Sequence, residues 1–342
     1  MTSRVGRRNR GLVAAAIWLP LTAVSCGQTS ASAPTTPSPS AVATSPAPRP
    51  SPTPAPAQRL ELSLPAPVEE TAAASAGGRL YVLGGFDAAG RSLDSVFIFD
   101  GAGWRAGPRL PLPVDHPSAA TLDGKVYLAG GHTFGRDSAR LFRLDGSAWM
   151  ELAPMHFARG GHALIAAHGR LYAVGGNTSR GNVPAIESYD PAANAWTVLP
   201  PLPAPRNHVS GFVIGAAICV AGGRSPNTAR VDCFNPDQGA WSTIASLPRA
   251  TSGGGATTFA TGEVVMMGGE DAGEAVMVDQ LTYYSQTGGW TSGEAMMAPR
   301  HGFQLAVFEG RAWACGGATA PGLHPVATCT SVIDRAVSPR GR

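Results

Sequence analysis

Residues able to do chemistry recur in this 342-residue chain at fixed distances before pairs of adjacent glycines. Sixteen residues before each pair stand Val68, Val114, Arg159, Arg206, Ser252 and Arg300; fourteen before stand Glu70, His116, Gly161, His208, Gly254 and Gly302. Glu69, Asp115, His162 and His301 lie one step from these positions. The residues just after the pairs add His132, Asn177, Arg180, Arg224, Glu270 and Asp271. Carboxylates and imidazoles move protons, and guanidinium groups clamp anions. Glu69, Glu70, Asp115 and His116 come from the two periods that lack the arginine, so they are not marks of the repeat and are the stronger candidates for ligand contact.

The glycine pairs themselves show what must position these side chains. They end the apolar runs "RLYVLGG", "KVYLAGG", "RLYAVGG", "AICVAGG", "EVVMMGG" and "AWACGG". Their first glycines are Gly84, Gly130, Gly175, Gly222, Gly268 and Gly316, spaced by 46, 45, 47, 46 and 48 residues. A near-constant period of this length is a repeat architecture. One period, residues 160–206, reads as strand "HALIAA", turn "HGR", strand "LYAVGG", polar loop, strand "AIESYD" and strand "AWTVL". Four short strands per period with turn signals between them predict one four-stranded antiparallel sheet. The glycine pair suits a strand that ends where backbones crowd and must turn.

Further marks repeat. An aromatic or apolar residue followed by a polar one ends the third strand, as in Phe99–Asp100, Tyr189–Asp190 and Phe234–Asn235. Trp104, Trp149, Trp196, Trp241 and Trp290 open the fourth, and a proline-rich exit with arginine follows, as in "LPPLPAPR". This set of marks over residues 59–334 resembles the kelch repeat. The resemblance implies an all-β, six-bladed propeller of four-stranded antiparallel blades. The sixth period lacks a fourth strand, and "RLELSLPAP" (59–67) precedes the first pair. Residues 59–64 are therefore expected to complete the last blade and close the ring, leaving no open sheet edge. The tryptophans are expected to pack between blades.

In such a propeller the first strands line a central channel, and Glu69, Glu70, Asp115, His116, His132, Arg159, His162, Arg206, His208, Arg224, Arg300 and His301 are expected to ring one of its mouths as ligand-binding residues. The arginine position is often arginine in kelch repeats, where it ties a blade to its neighbour. One-blade spacing is expected to spread His116, His162, His208 and His301 around a wide ring, so neither a metal nor a cofactor is assigned. The leading reading is a non-catalytic module that binds a glycan, peptide or protein through its loop face. The alternative is a sugar-active enzyme resembling sialic-acid mutarotases, with Glu70 or Glu69 as base and Arg159, Arg206 or Arg300 as carboxylate clamp. Copper chemistry of the galactose-oxidase kind needs a free cysteine joined to tyrosine, and the cysteines are otherwise engaged. No nucleotide loop, nucleophile elbow or zinc-helix motif occurs.

Four of the five cysteines fall into two pairs, each fourteen residues apart, around the turn signals "SPN" and "PG". Separate blades keep the pairs apart, so Cys219–Cys233 and Cys315–Cys329 are expected as cross-strand disulfides. The fifth, Cys26, ends "TAVSC", which resembles a bacterial lipobox behind a basic segment and an apolar run typical of a secretory signal, residues 1–25. Residues 26–58, rich in Pro, Ser, Thr and Ala, read as a tether, and residues 335–342 as a tail. These segments predict an extracytoplasmic monomer held to the cell membrane by lipidated Cys26, with an envelope protein, peptide or glycan as partner. Six of the 26 basic residues precede residue 60, where there is no acidic one, which leaves 20 basic against 23 acidic beyond it. That balance gives no footprint for nucleic acid.

Overall fold

The computed structural model describes residues 58–61 and 63–335. The expectations for the signal, Cys26, the tether before residue 58 and the tail beyond residue 335 lie outside the described residues.

Six four-stranded antiparallel sheets are arranged as blades. Blades 1 to 5 span residues 72–106, 118–152, 163–199, 210–244 and 255–295. Blade 6 takes its inner three strands from Leu305–Phe308, Arg311–Cys315 and Cys329–Ile333, and its outer strand from Gln58–Glu61. The register Gln58↔Val332 to Glu61↔Cys329 closes the ring as expected, three residues shorter at its far end. Leu64 has left the strand and packs in the core, its N–H donating to the Ala327 carbonyl at 2.7 Å.

The second strand of each blade is apolar along its length because it is covered by neighbouring blades on both faces. Arg79–Leu83, Lys125–Ala129 and Ala217–Ala221 are buried at every position after the first. Continuous apolar runs of this kind belong to strands covered on both sides. The glycine pair ends that strand under the next blade. Gly84 and Gly85 hold φ of 63° and 96°, and a Cβ on Gly85 would sit 2.3 Å from the Glu69 carbonyl oxygen. No other residue fits both the angle and the space.

Two sets of bonds tie blade to blade. On the outside, indole N–H groups of Trp149, Trp196, Trp241 and Trp290 donate to carbonyls of Pro108, Ala153, Pro200 and Ala245 in the preceding blade, at 2.8–3.0 Å. The tryptophans thus cement blades, as their spacing predicted. On the inside, the first strands of neighbouring blades belong to separate sheets, and side chains bridge them. Thr121 donates to the Ser75 carbonyl, Ser118 accepts from the Leu164 N–H, and Ser210 donates to the Gly254 carbonyl. Gln304 reaches furthest, accepting from the N–H groups of Ala73 and Ala119 in blades 1 and 2.

The disulfides Cys219–Cys233 and Cys315–Cys329 join directly paired residues on the second and third strands of blades 4 and 6.

Candidate functional site

Just before each first strand, one residue per blade turns into the left-handed region. These are Glu70, His116, Gly161, His208, Gly253 and Gly302, with φ between 51° and 69°. Their backbones form a hydrogen-bonded ring around the axis. His116 N–H donates to the Glu70 carbonyl, Gly161 to His116, His208 to Gly161, Gly253 to His208 and Gly302 to Gly253, at 2.6–3.1 Å. Thr71 N–H closes the ring on the Gly302 carbonyl at 3.3 Å.

Blade 5 departs from the expected count by one. Its ring residue is Gly253 rather than Gly254, and Thr251 rather than Ser252 takes the arginine's place. The cause is a longer connection between its first two strands, residues 259–263, where other blades use a two-residue turn.

A left-handed conformation is free for glycine and costs other residues about 1–2 kcal/mol. Three blades place side chains there nonetheless, and each leans over the ring residue of the preceding blade. A Cβ on Gly302 would lie 3.0 Å from the Glu70 carboxylate, and one on Gly161 would lie 2.9 Å from Nδ1 of His208. His116 Nε2 lies 3.5 Å from Glu70. The lean gathers groups that the one-blade spacing was expected to hold apart. The His116 ring is 5.1 Å from that of His208 and 5.5 Å from that of His132. One donor atom each from Glu70, His116 and His208 lie within 4.8 Å of one another, so the expectation of scattered imidazoles is corrected. Beneath them, above Gln304, is an axial cavity of about 70 Å³.

A second tier holds these side chains in place. The residue before each ring position bridges to the one after the glycine pair: Glu69 to Phe86, Asp115 to His132, Gly160 to Asn177, Asn207 to Arg224, Ser252 to Glu270 and His301 to Ala318. Asp115 accepts from His116 Nδ1 at 2.7 Å and from the Ser92 hydroxyl at 2.5 Å. Asn207 accepts from His208 Nδ1 at 2.5 Å and donates to Asn182 at 2.6 Å. Arg224 donates to His208 Nε2, and to Glu270 and Glu274. His301 Nδ1 stands 3.8 Å from both Glu70 and Glu270, and His132 Nδ1 is 3.0 Å from Asp137. Glu69 accepts from the His324 N–H at 2.9 Å.

Burial raises the Glu69 and Glu270 carboxyls above their ordinary values. Burial opposes charge on His116, but Glu70 and then Asp115 outweigh it, so this imidazole holds its proton above the ordinary range. Burial, then the Arg224 charge, pushes His208 far the other way, to a neutral ring.

The arginines behave differently. Arg159, Arg206 and Arg300 are fully buried and point into the blades, not to the mouth. Arg159 donates to the Gly175 and Ala185 carbonyls and to Glu187 at 2.9 Å. Arg206 donates to the Gly222 carbonyl and to Asp232 at 2.8 Å. Arg300 donates to the carbonyls of Gly316 and Thr328, and burial pushes its guanidinium down to about 10. Their assignment as ligand-binding residues, and Arg206 as a carboxylate clamp, is therefore withdrawn. His162 also turns away from the axis. It packs against Gly130 and Gly176, and among the described residues neither buried ring nitrogen has a hydrogen-bond partner. Asn207, Ser92, Glu274 and Gln304 were missed. Asn207 stands at the same repeat position as Glu69, Asp115 and His301, so the count held the signal for it.

A closed ring of six four-stranded blades with a polar tier at one channel mouth defines a β-propeller. The Kelch motif matches residues 70–101, 115–156 and 158–203, so the propeller carries kelch motifs. It is 32% identical over 105 residues to "Kelch-like protein 35" of Mus musculus, covering 30% of this chain and 18% of that protein. It is 29% identical over 184 residues to "Kelch-like protein 25" of Xenopus tropicalis, covering 49% of this chain and 30% of that protein. The chain thus spans less than a third of the length of these two relatives. The solved "Structure of YjhT" superposes with a TM-score of 0.70 at 16% identity, over 81% of this chain and 97% of that one, a likeness of fold.

Proposed function

We propose that this propeller is a non-catalytic binding module, held outside the cell membrane through lipidated Cys26, that docks a protein or peptide partner on its channel-mouth face. The observation that carries this is where apolar side chains are exposed. Among the described residues seven large hydrophobics are exposed, and five of them, Phe134, Phe157, Val276, Met297 and Leu323, lie in loops of that face. Met150 and Val198 lie on outer strands. Phe134 is 74% exposed at the tip of a hairpin formed by His132–Thr133 and Arg136–Asp137. Exposed aromatic, methionine and large apolar side chains are the groups enriched at protein-binding surfaces.

The sugar-enzyme reading loses its clamp, because the three repeat arginines are sealed in the blades. Arg224, which remains at the mouth, already carries Glu270 and Glu274. The carboxylates of Glu69, Glu70, Asp115, Glu270 and Glu274 outnumber the cations around them, which works against an acidic sugar.

The test is photo-crosslinking in the native envelope, with a photoreactive residue at Phe134 or Leu323 and, as control, at Val198. Discrete adducts from the first two positions and none from the third are expected. Adducts only from Val198 would move the partner to the outer strands and overturn the assigned face. A thermal shift with an acidic or neutral sugar would favour the alternative.

A further inference from the structure

We propose that Glu70, His116 and His208 form a divalent-metal site on the propeller axis, of the two-imidazole, one-carboxylate type that suits Zn²⁺ and similar d-block ions. Nothing in the partner-docking reading requires it.

Four observations lead there. The three side chains come from three blades at one repeat position, and their donor atoms lie within 4.8 Å of one another. Small side-chain rotations bring such atoms to the roughly 2.0–2.2 Å that zinc takes from nitrogen and carboxylate oxygen. Secondly, both imidazoles are held from behind. Nδ1 of His116 is fixed by Asp115, itself bonded to Ser92, and Nδ1 of His208 is fixed by Asn207, itself bonded to Asn182. A partner on one ring nitrogen, which orients the other towards the ion, is the usual support of a metal-binding histidine. Thirdly, all three residues hold φ of 51° where glycine serves the remaining blades. The fold does not need side chains there, and strain kept at a cluster of polar groups points to a ligand. Finally, the adjoining cavity of about 70 Å³ has room for water to complete the coordination.

Arg224 competes for the same lone pair, since its guanidinium donates to Nε2 of His208 at 2.8 Å. Its other nitrogen rests on Glu270 and Glu274, so it has carboxylates to keep when the ion displaces it. Arg224 therefore weakens the site without being part of it.

The experiment is a Co²⁺ titration of the untagged, chelator-treated full chain, followed by visible d–d absorption and reversed with Zn²⁺. The expected result is one Co²⁺ per chain. His116→Gly and His208→Gly keep the left-handed backbone that glycine prefers, so they remove a ligand without threatening the ring. Each, like Glu70→Gln, is expected to weaken binding about 100-fold or more, while Arg224→Gln strengthens it several-fold. His168→Ala, in the turn between the first two strands of blade 3, leaves it unchanged. No absorption band at millimolar Co²⁺, or a loss below about tenfold in any of the three ligand variants, overturns the site.

Discussion

The ring at the channel mouth has two halves that share one backbone and differ in what they carry. Blades 3, 5 and 6 fill the left-handed position with Gly161, Gly253 and Gly302. Blades 1, 2 and 4 fill it with Glu70, His116 and His208 at the same φ and in the same hydrogen-bonded ring. The glycines show that the backbone needs no side chain at this point. The other three residues therefore add chemistry at a conformational cost, and two of the glycines leave the space into which Glu70 and His208 lean. Two residues earlier, blades 3, 4 and 6 show the opposite economy. Arg159, Arg206 and Arg300 are cations placed entirely at the service of the fold. A charged residue at a repeated position is thus structural or functional according to whether its charge is engaged inside its own blade, as with the arginines, or presented at the mouth.

The sharpest way to test the contrast is to remove one of the structural cations. Arg159→Ala leaves the fully buried Glu187 carboxylate with the His156 and Phe157 N–H groups and His156 Nδ1 but no guanidinium. Breaking a buried pair from one side costs about 3–5 kcal/mol. Urea unfolding should show a loss of that size. A loss within the range of surface substitutions would place Arg159 back among the residues free to serve a ligand.

His162 offers a smaller and pH-dependent effect. Its folded-state value lies well below 6.5, from burial and then the Arg159 and His132 charges. The unfolded chain therefore binds a proton that the native state refuses, and stability is lost as pH falls below about 6.5. Val209 fills the equivalent place in blade 4 against Gly175 and Gly223. His162→Val should raise stability by about 1–3 kcal/mol through removal of unpaired buried nitrogens. The gain should grow from pH 7 to pH 5, as read from unfolding at both values. A gain independent of pH would show that His162 is not held neutral.

Much of this was legible in the sequence. The glycine pairs and tryptophans fix six blades because each mark answers to a local demand: a backbone with no room for Cβ, or an indole bonded to the blade before it. The cysteine spacing gave the disulfides for the same reason, since residues flanking a connection on paired strands must meet. The mouth was legible only as a set of positions. Counting back from the glycines found Glu70, His116 and His208, but could not see that they lean across blade boundaries and converge. It also could not tell Arg206 from His208, which are two residues apart and face opposite ways. Blade 5 slipped because its longer first turn is invisible to a count made from the glycine pair.

The most direct test of the central claim, that the three occupied ring positions serve a ligand and not the fold, is the thermal midpoint of the triple variant Glu70→Gly, His116→Gly, His208→Gly beside the unchanged chain at neutral pH without added metal. Relief of left-handed strain, about 1–2 kcal/mol per residue, is set against the greater unfolded-state freedom of glycine, about 0.5–1 kcal/mol. The account predicts a midpoint equal to or above that of the unchanged chain. A midpoint lower by more than about 4 °C would contradict it, because the side chains would then be holding the ring together.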